Sequence, residues 1–283
     1  MRVSTYIKKW FPLFALPTTL AFVLAFVVPF GLGLYLSFTK FQTVNDATWV
    51  GLRNYTNAFT RDTDFVRALW FTVRFAVVSV ITVNVIAFAL ASLLTRAIKG
   101  TNIFRAVFFL PNLIGGIVLG YVWLNIINGL LIRFFQKDIT FSSAYGFWGL
   151  VIVVNWQMIG YMMIIYIAGI QNIPGDVLEA ADIDGASPWN KLFNVTIPMV
   201  AGSITICVFL TMANCLKLFD QNLALTNGAP KNTTEGMALN IFRTFYNQQE
   251  QGIGQAKAVV FFVFVAAIAF IQLRATRSRE VEG

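Results

Sequence analysis

The side chains of this chain that could do chemistry stand inside long apolar runs. Tyr121, Asn125 and Asn128 recur at i, i+4 and i+7, one continuous face of a helix. Asn214, Lys217 and Gln221 repeat at i, i+3 and i+7, and Asn155, Gln157 and Tyr161 gather with Trp156 beside them. Amides and hydroxyls can both donate to and accept from a hydroxyl group, so a neutral polar lining of this kind suits an uncharged polyol better than an ion. The same amides could instead tie helices together, because Asn and Gln bond across membrane bundles. Lys217 could also snorkel to an interface or pair with Asp220 three residues on.

Other chemistries are excluded by what the chain lacks. It has no His, so no imidazole can serve as a base or a metal ligand. Its two cysteines, Cys207 and Cys215, are eight residues apart, about 12 Å along a helix, too far for a disulfide. No pair of carboxylates falls within an apolar run, which leaves a membrane-embedded enzyme without an acid–base pair. The net charge of +8 is not arranged as a basic stripe with exposed aromatics, so nucleic acid is not an expected partner.

These residues are positioned by elements that must cross a bilayer. Hydrophobic residues make up 57% of the 283 and charged ones 12%, with mean hydropathy +0.69. Soluble domains carry about 45–50% apolar and about 25% charged residues, so this chain cannot cover itself with polar surface. The expected fold is an all-α integral membrane protein, a single transmembrane domain over 1–283 with about six spans. The apolar runs place them at roughly 13–38, 68–94, 106–127, 146–170, 199–218 and 256–273, each near the length a bilayer demands. The first is too long for a signal-peptide core and has no small-residue cleavage site. Gly116 and Gly120 form a close-packing G-x-x-x-G, and Trp70 and Trp148 suit interfacial belts.

Basic residues set the expected orientation. Arg2, Lys8 and Lys9, then Arg96, Lys99 and Arg105, then Arg274, Arg277 and Arg279 flank one set of ends, whereas basic residues of the other loops are accompanied by Asp46, Asp62, Asp64 and Asp138. The positive-inside rule gives N-in and C-in. Segments 39–67 and 220–255 then lie outside and 171–198 inside, and none is large enough for a separate soluble domain.

The inner loop 171–198 is not generic. Pro174 can open a helix whose positive end suits Asp176 and Glu179. Val177, Leu178 and Ala181 share a face, and Gly185 after Asp184 can supply the left-handed stop. Ser187 then caps a second short helix opened by Pro188, with Trp189, Leu192 and Phe193 on its apolar side. Pro198 marks the return to the membrane. Mixed charge argues against a helix pair lying on anionic headgroups and for a knob that docks a soluble protein, with Ala180 and Ala181 permitting close approach.

The string EAADIDGASPWNKLFNVTIP in this loop resembles the EAA signature of membrane subunits of binding-protein-dependent ABC importers. Glu179, Ala180, Ala181, Gly185, Ile197 and Pro198 match it position by position; Ile197 stands where Leu is common. GLRNY (51–55), RAVFFLP (105–111), NGL (128–130) and LFDQNLALTNGAPKNTT (218–234) resemble the carbohydrate-uptake branch, the maltose and multiple-sugar permeases, in a compact form.

The resemblance implies a type I importer permease. Its EAA helix, with Asp184 beside the matched residues, would couple to a separate ATPase dimer, which binds the ATP and Mg. This chain holds no cofactor of its own and has no G-x-x-x-x-G-K-[ST] loop. The implied partners are a second permease, the ATPase subunits, an extracellular sugar-binding protein and membrane lipid. The implied location is a bacterial or archaeal cell membrane, and the implied function is sugar or oligosaccharide import by alternating access. Another cargo, such as glycerol phosphate, and an ion-coupled secondary transporter are the competing expectations. The second is disfavoured by the absence of mid-span carboxylates.

Overall fold

The computed structural model describes residues 2–96 and 99–277, and the side chains of residues 2–10, 12, 276 and 277 fall outside the description. The flanking charges Arg2, Lys8, Lys9 and Arg277 therefore lie outside the described side chains, and Arg279 lies outside the described residues altogether.

In chain order the helices are α1 (Arg2–Phe22), α2 (Val28–Leu36), α3 (Arg53–Thr60), α4 (Thr63–Leu94), α5 (Thr101–Phe109), α6 (Gly116–Phe135) and α7 (Ser143–Gln171). They continue with α8 (Gly175–Ile183), α9 (Pro188–Lys191), α10 (Ile197–Met199), α11 (Ala201–Leu216), α12 (Asp220–Leu225), α13 (Met237–Phe242) and α14 (Gln251–Arg277). Two short strands, β1 (Thr39–Lys40) and β2 (Thr48–Trp49), pair antiparallel. Five helical stretches are long and apolar enough to cross a bilayer: Leu13–Leu36, Thr63–Leu94, Gly116–Phe135, Ser143–Gln171 and Gln251–Ala275. A sixth is made by Pro188–Met199 with Ala201–Leu216, bent by 72°.

Two of the expected spans are interrupted. The run 106–127 is not one helix: α5 stops at Phe109, residues Leu110–Leu113 form a 3-10 turn, Ile114 is extended, and α6 starts afresh at Gly116. Pro111 has no N–H for the ladder, and Gly115 and Gly116 lower the cost of leaving it. The run 199–218 also ends early, because α11 closes at Leu216 and the chain leaves helical geometry at Lys217–Phe219 before α12. The 72° bend falls at Val200, two residues after Pro198.

The chain folds as two compact units. The first, Met1–Asp62 with Ile241–Phe261, holds the first span, the small hairpin and the start of α14. The window of the first span is wholly unburied within the structure, apolar side chains facing outward all round it. Asn54 is buried and donates to the carbonyls of Ser37 and Thr39, pinning α3 to the end of that span. Lys257 is fully buried and makes an ion pair with Asp62 and a 2.7 Å hydrogen bond to Thr244 Oγ1. Beyond the span, the Asp46 carboxylate accepts the Gln42 and Thr43 N–H groups at 2.9 Å, which hold it below the usual aspartate range.

The second unit, Thr63–Asn240 with Phe262–Gly283, contains the main core. α7 is its centre. It packs along α4 and α11 with Phe75, Val83, Leu150, Met162 and Cys207 buried between them. The G-x-x-x-G of α6 is a docking strip for α12, since a Cβ on Gly116 would meet Asp220 Cβ at 2.6 Å and one on Gly120 would meet Ala224 Cβ at 2.6 Å. Two residues spaced i, i+4 thus seat two others spaced i, i+4.

Candidate functional site

Both interruptions open onto the same space. A cavity of about 570 Å³ is lined by Asn112 from the break before α6, Gln157 and Tyr161 from α7, Asn214 from α11, Lys217 from the second break, and Asp220 and Gln221 from α12. Irregular backbone at membrane depth is tolerated where it faces a cavity, since its carbonyls and N–H groups then need not meet lipid. Gln157 spans the arrangement, donating from Nε2 to the Ile114 carbonyl at 3.1 Å and accepting at Oε1 from Gln221 Nε2 at 2.5 Å. Asn214 uses one N–H on the Leu210 carbonyl, and Lys217 is exposed, with no ion pair to Asp220.

Of the nine side chains expected along a pathway, the structure brings together Gln157, Tyr161, Asn214, Lys217 and Gln221. Asn214, Lys217 and Gln221 do not form one helical face, because α11 ends between the first two; they meet through the break instead. The other four stand elsewhere. Asn155 is buried against α4, donating to Thr82 Oγ1 at 2.9 Å and to the Val151 carbonyl, so it joins helices. Asn128 accepts the Ile139 N–H and anchors the turn after α6. Asn125 donates to the Tyr121 carbonyl within its own helix, and both are exposed. Asn112 and Asp220 were not singled out as lining residues from sequence; Asp220 was read only as a partner for Lys217.

The loop after α7 is a helix–turn–helix knob. α8 ends on Gly185 at φ +70, where the Ala186 N–H returns to the Ala181 carbonyl at 3.0 Å. Ser187 Oγ accepts the Asn190 N–H at 3.2 Å and so caps α9, which Pro188 opens. Lys191 and Asp182 form an ion pair that ties the second helix back to the first. Glu179, Ala180, Asp184 and Pro198 are exposed and Ile197 is half-buried. Ala181 departs from the expected docking face: it is buried and leaves Ala180 as the small residue on the surface. An apolar patch is nevertheless present. Ile183 is 87% and Trp189 69% exposed, with Trp189 stacked on Phe193 at 6.0 Å.

Residues 100–279 match the family model described as the binding-protein-dependent transport system inner membrane component. The chain belongs to this family. It is 44% identical, over 96% of each chain, to a protein of Thermoanaerobacterium thermosulfurigenes called probable starch degradation products transport system permease protein AmyD. It is 26% identical, over 97% of each, to the multiple sugar-binding transport system permease protein MsmF of Streptococcus mutans. In fold it is similar to a chain of a bacterial ABC transporter involved in the import of alginate, with TM-score 0.82, 19% identity and coverage of 98% and 99% of the two chains. As a component of this family it is a multi-pass membrane protein and not itself catalytic. The match includes both the cavity breaks and the knob.

Proposed function

We propose that this permease carries a sugar or oligosaccharide through the cavity beside Gln157, driven by ATP hydrolysed on separate subunits. The carbohydrate reading is supported by the relatives, named for starch degradation products and multiple sugars. The single observation that carries the chemistry is the cavity lining: four amide side chains, a phenol, one lysine and one aspartate around about 570 Å³. Amides match sugar hydroxyls from either side, and a pocket of this size falls in the ordinary range for small-molecule sites.

The knob at 172–198 serves as the contact for the ATPase, with Glu179, Ala180, Gly185 and the Trp189–Phe193 stack offered to a cleft in that subunit. ATP and Mg belong to the ATPase chains. Their closure would tilt the knob, and the bend at Val200 would carry the movement into α11 and so to Asn214 and Lys217. With N-terminus and C-terminus in the cytoplasm, segments 39–67 and 220–255 face outward and receive a sugar-loaded binding protein. A second permease completes the path, and the unburied first span offers it an apolar surface. The setting is a bacterial or archaeal cell membrane.

Uptake of labelled oligosaccharides in cells expressing the whole system tests this. Uptake should collapse on ATP depletion and persist when ion gradients are dissipated. Uptake that follows the ion gradient would refute the proposal.

A further inference from the structure

Away from the amide-lined cavity, a second hollow of about 480 Å³ lies against α4 and the first turns of α7. Its lining is of two kinds. Arg74, Ser143 and Thr233 are polar, while Phe71, Val77, Phe147 and Trp148 make apolar walls, and among the described residues no carboxylate lines it. Arg74 is exposed, and its one recorded contact is a 3.4 Å hydrogen bond from Nε to the Trp70 carbonyl, so both terminal nitrogens are free. Ser143 likewise has a free hydroxyl.

The depth of this hollow follows from the sequence. Residues 75–94 contain no charged side chain, and twenty helical residues span about 30 Å, the thickness of the hydrocarbon layer. Arg74 is thus the first charge beyond that layer, at headgroup level, and Val77 and Phe71 bracket it one turn to either side. Trp70 and Trp148, 61% and 53% exposed, stand where an interfacial aromatic belt would be. A cation without a counter-ion next to an apolar groove, at the depth of lipid phosphates, has the two-part character of a phospholipid.

We propose that this hollow binds one anionic phospholipid, its phosphate on Arg74 and Ser143 and the start of an acyl chain along Phe71, Val77, Phe147 and Trp148. Arg74 can present two parallel N–H donors to phosphate oxygens. The surrounding bilayer supplies the ligand at a concentration that a weak site can capture.

The test is native mass spectrometry of the purified transporter complex, titrated with phosphatidylglycerol or phosphatidylcholine in detergent. The expected result is saturable retention of phosphatidylglycerol in preference to phosphatidylcholine, weakened about tenfold by Arg74→Gln and also by Val77→Phe, which fills the groove and leaves the cation in place. Millimolar inorganic phosphate should not displace the lipid, because it lacks the chain. Unaltered retention in both variants would overturn the proposal, as would displacement by inorganic phosphate alone. It would equally be overturned if Arg74→Gln released a neighbouring subunit while lipid retention held, since the hollow would then be a protein contact. Should Arg74→Gln fail to fold, Val77→Phe and Ser143→Ala carry the same comparison.

Discussion

Gln221 donates to Gln157 at 2.5 Å, and Gln157 in turn donates to the Ile114 carbonyl at 3.1 Å. One chain of amides thereby links α12, α7 and the break before α6 across the wall of the cavity. Gln157→Ala and Gln221→Ala should each weaken uptake by raising the half-saturating sugar concentration, with the protein still folded. Asn155→Ala should do the reverse, lowering stability by about 0.6 and up to about 1.7 kcal/mol, the range for polar contacts between membrane helices, with affinity unchanged. Uptake kinetics alongside thermal unfolding in detergent separate the two.

Lys217 and Asp220 are the two charged side chains of the cavity lining. Removing the cation by Lys217→Gln leaves Asp220 as the one charge of the lining. Neutral oligosaccharide uptake should survive within a few-fold, and competition by acidic sugars should weaken. Abolished uptake of neutral sugar would show that the ammonium itself holds the cargo.

The knob depends on local backbone chemistry. Gly185 has open space around it but sits at φ +70, so Gly185→Val meets strain and not a clash. It should disconnect the ATPase and abolish transport. Ser187→Ala removes a cap worth about 1 kcal/mol and should only weaken coupling. Co-purification of the ATPase with each variant measures the difference.

The buried pair Lys257–Asp62 should be asymmetric. Asp62 keeps 23% of its side-chain exposure and can be hydrated if its partner is lost, whereas Lys257 has none. Asp62→Ala therefore removes the counter-charge from a fully buried ammonium and should cost about 3–5 kcal/mol, with Lys257→Met milder. Melting temperatures of the two variants, ranked against the parent, check this.

The sequence made some of this legible and hid the rest for physical reasons. Gly185, Ser187 and Pro188 were readable because capping is set by neighbours in the chain. The breaks at 110–115 and 217–219 were not: the apolar run continues across the first, the second falls at the end of its run, and hydropathy registers backbone geometry at neither. Asn155 and Gln157, grouped by proximity, lie two residues apart and so about 200° apart on a helix, which sends one to α4 and the other to the cavity. The Gln157–Tyr161 pair, at i and i+4, is the one that lines the cavity. Lys257 was not singled out from sequence, because the Asp62 with which it forms an ion pair lies 195 residues away.

The central claim is that a motor on other chains works through the knob. Proteoliposomes holding the assembled transporter, with binding protein and ATP, should accumulate labelled sugar. With Glu179→Lys they should hold the permease pair yet lose both sugar-stimulated ATP hydrolysis and uptake. Unchanged uptake with Glu179→Lys, or uptake by the permeases with the ATPase omitted, would contradict the account.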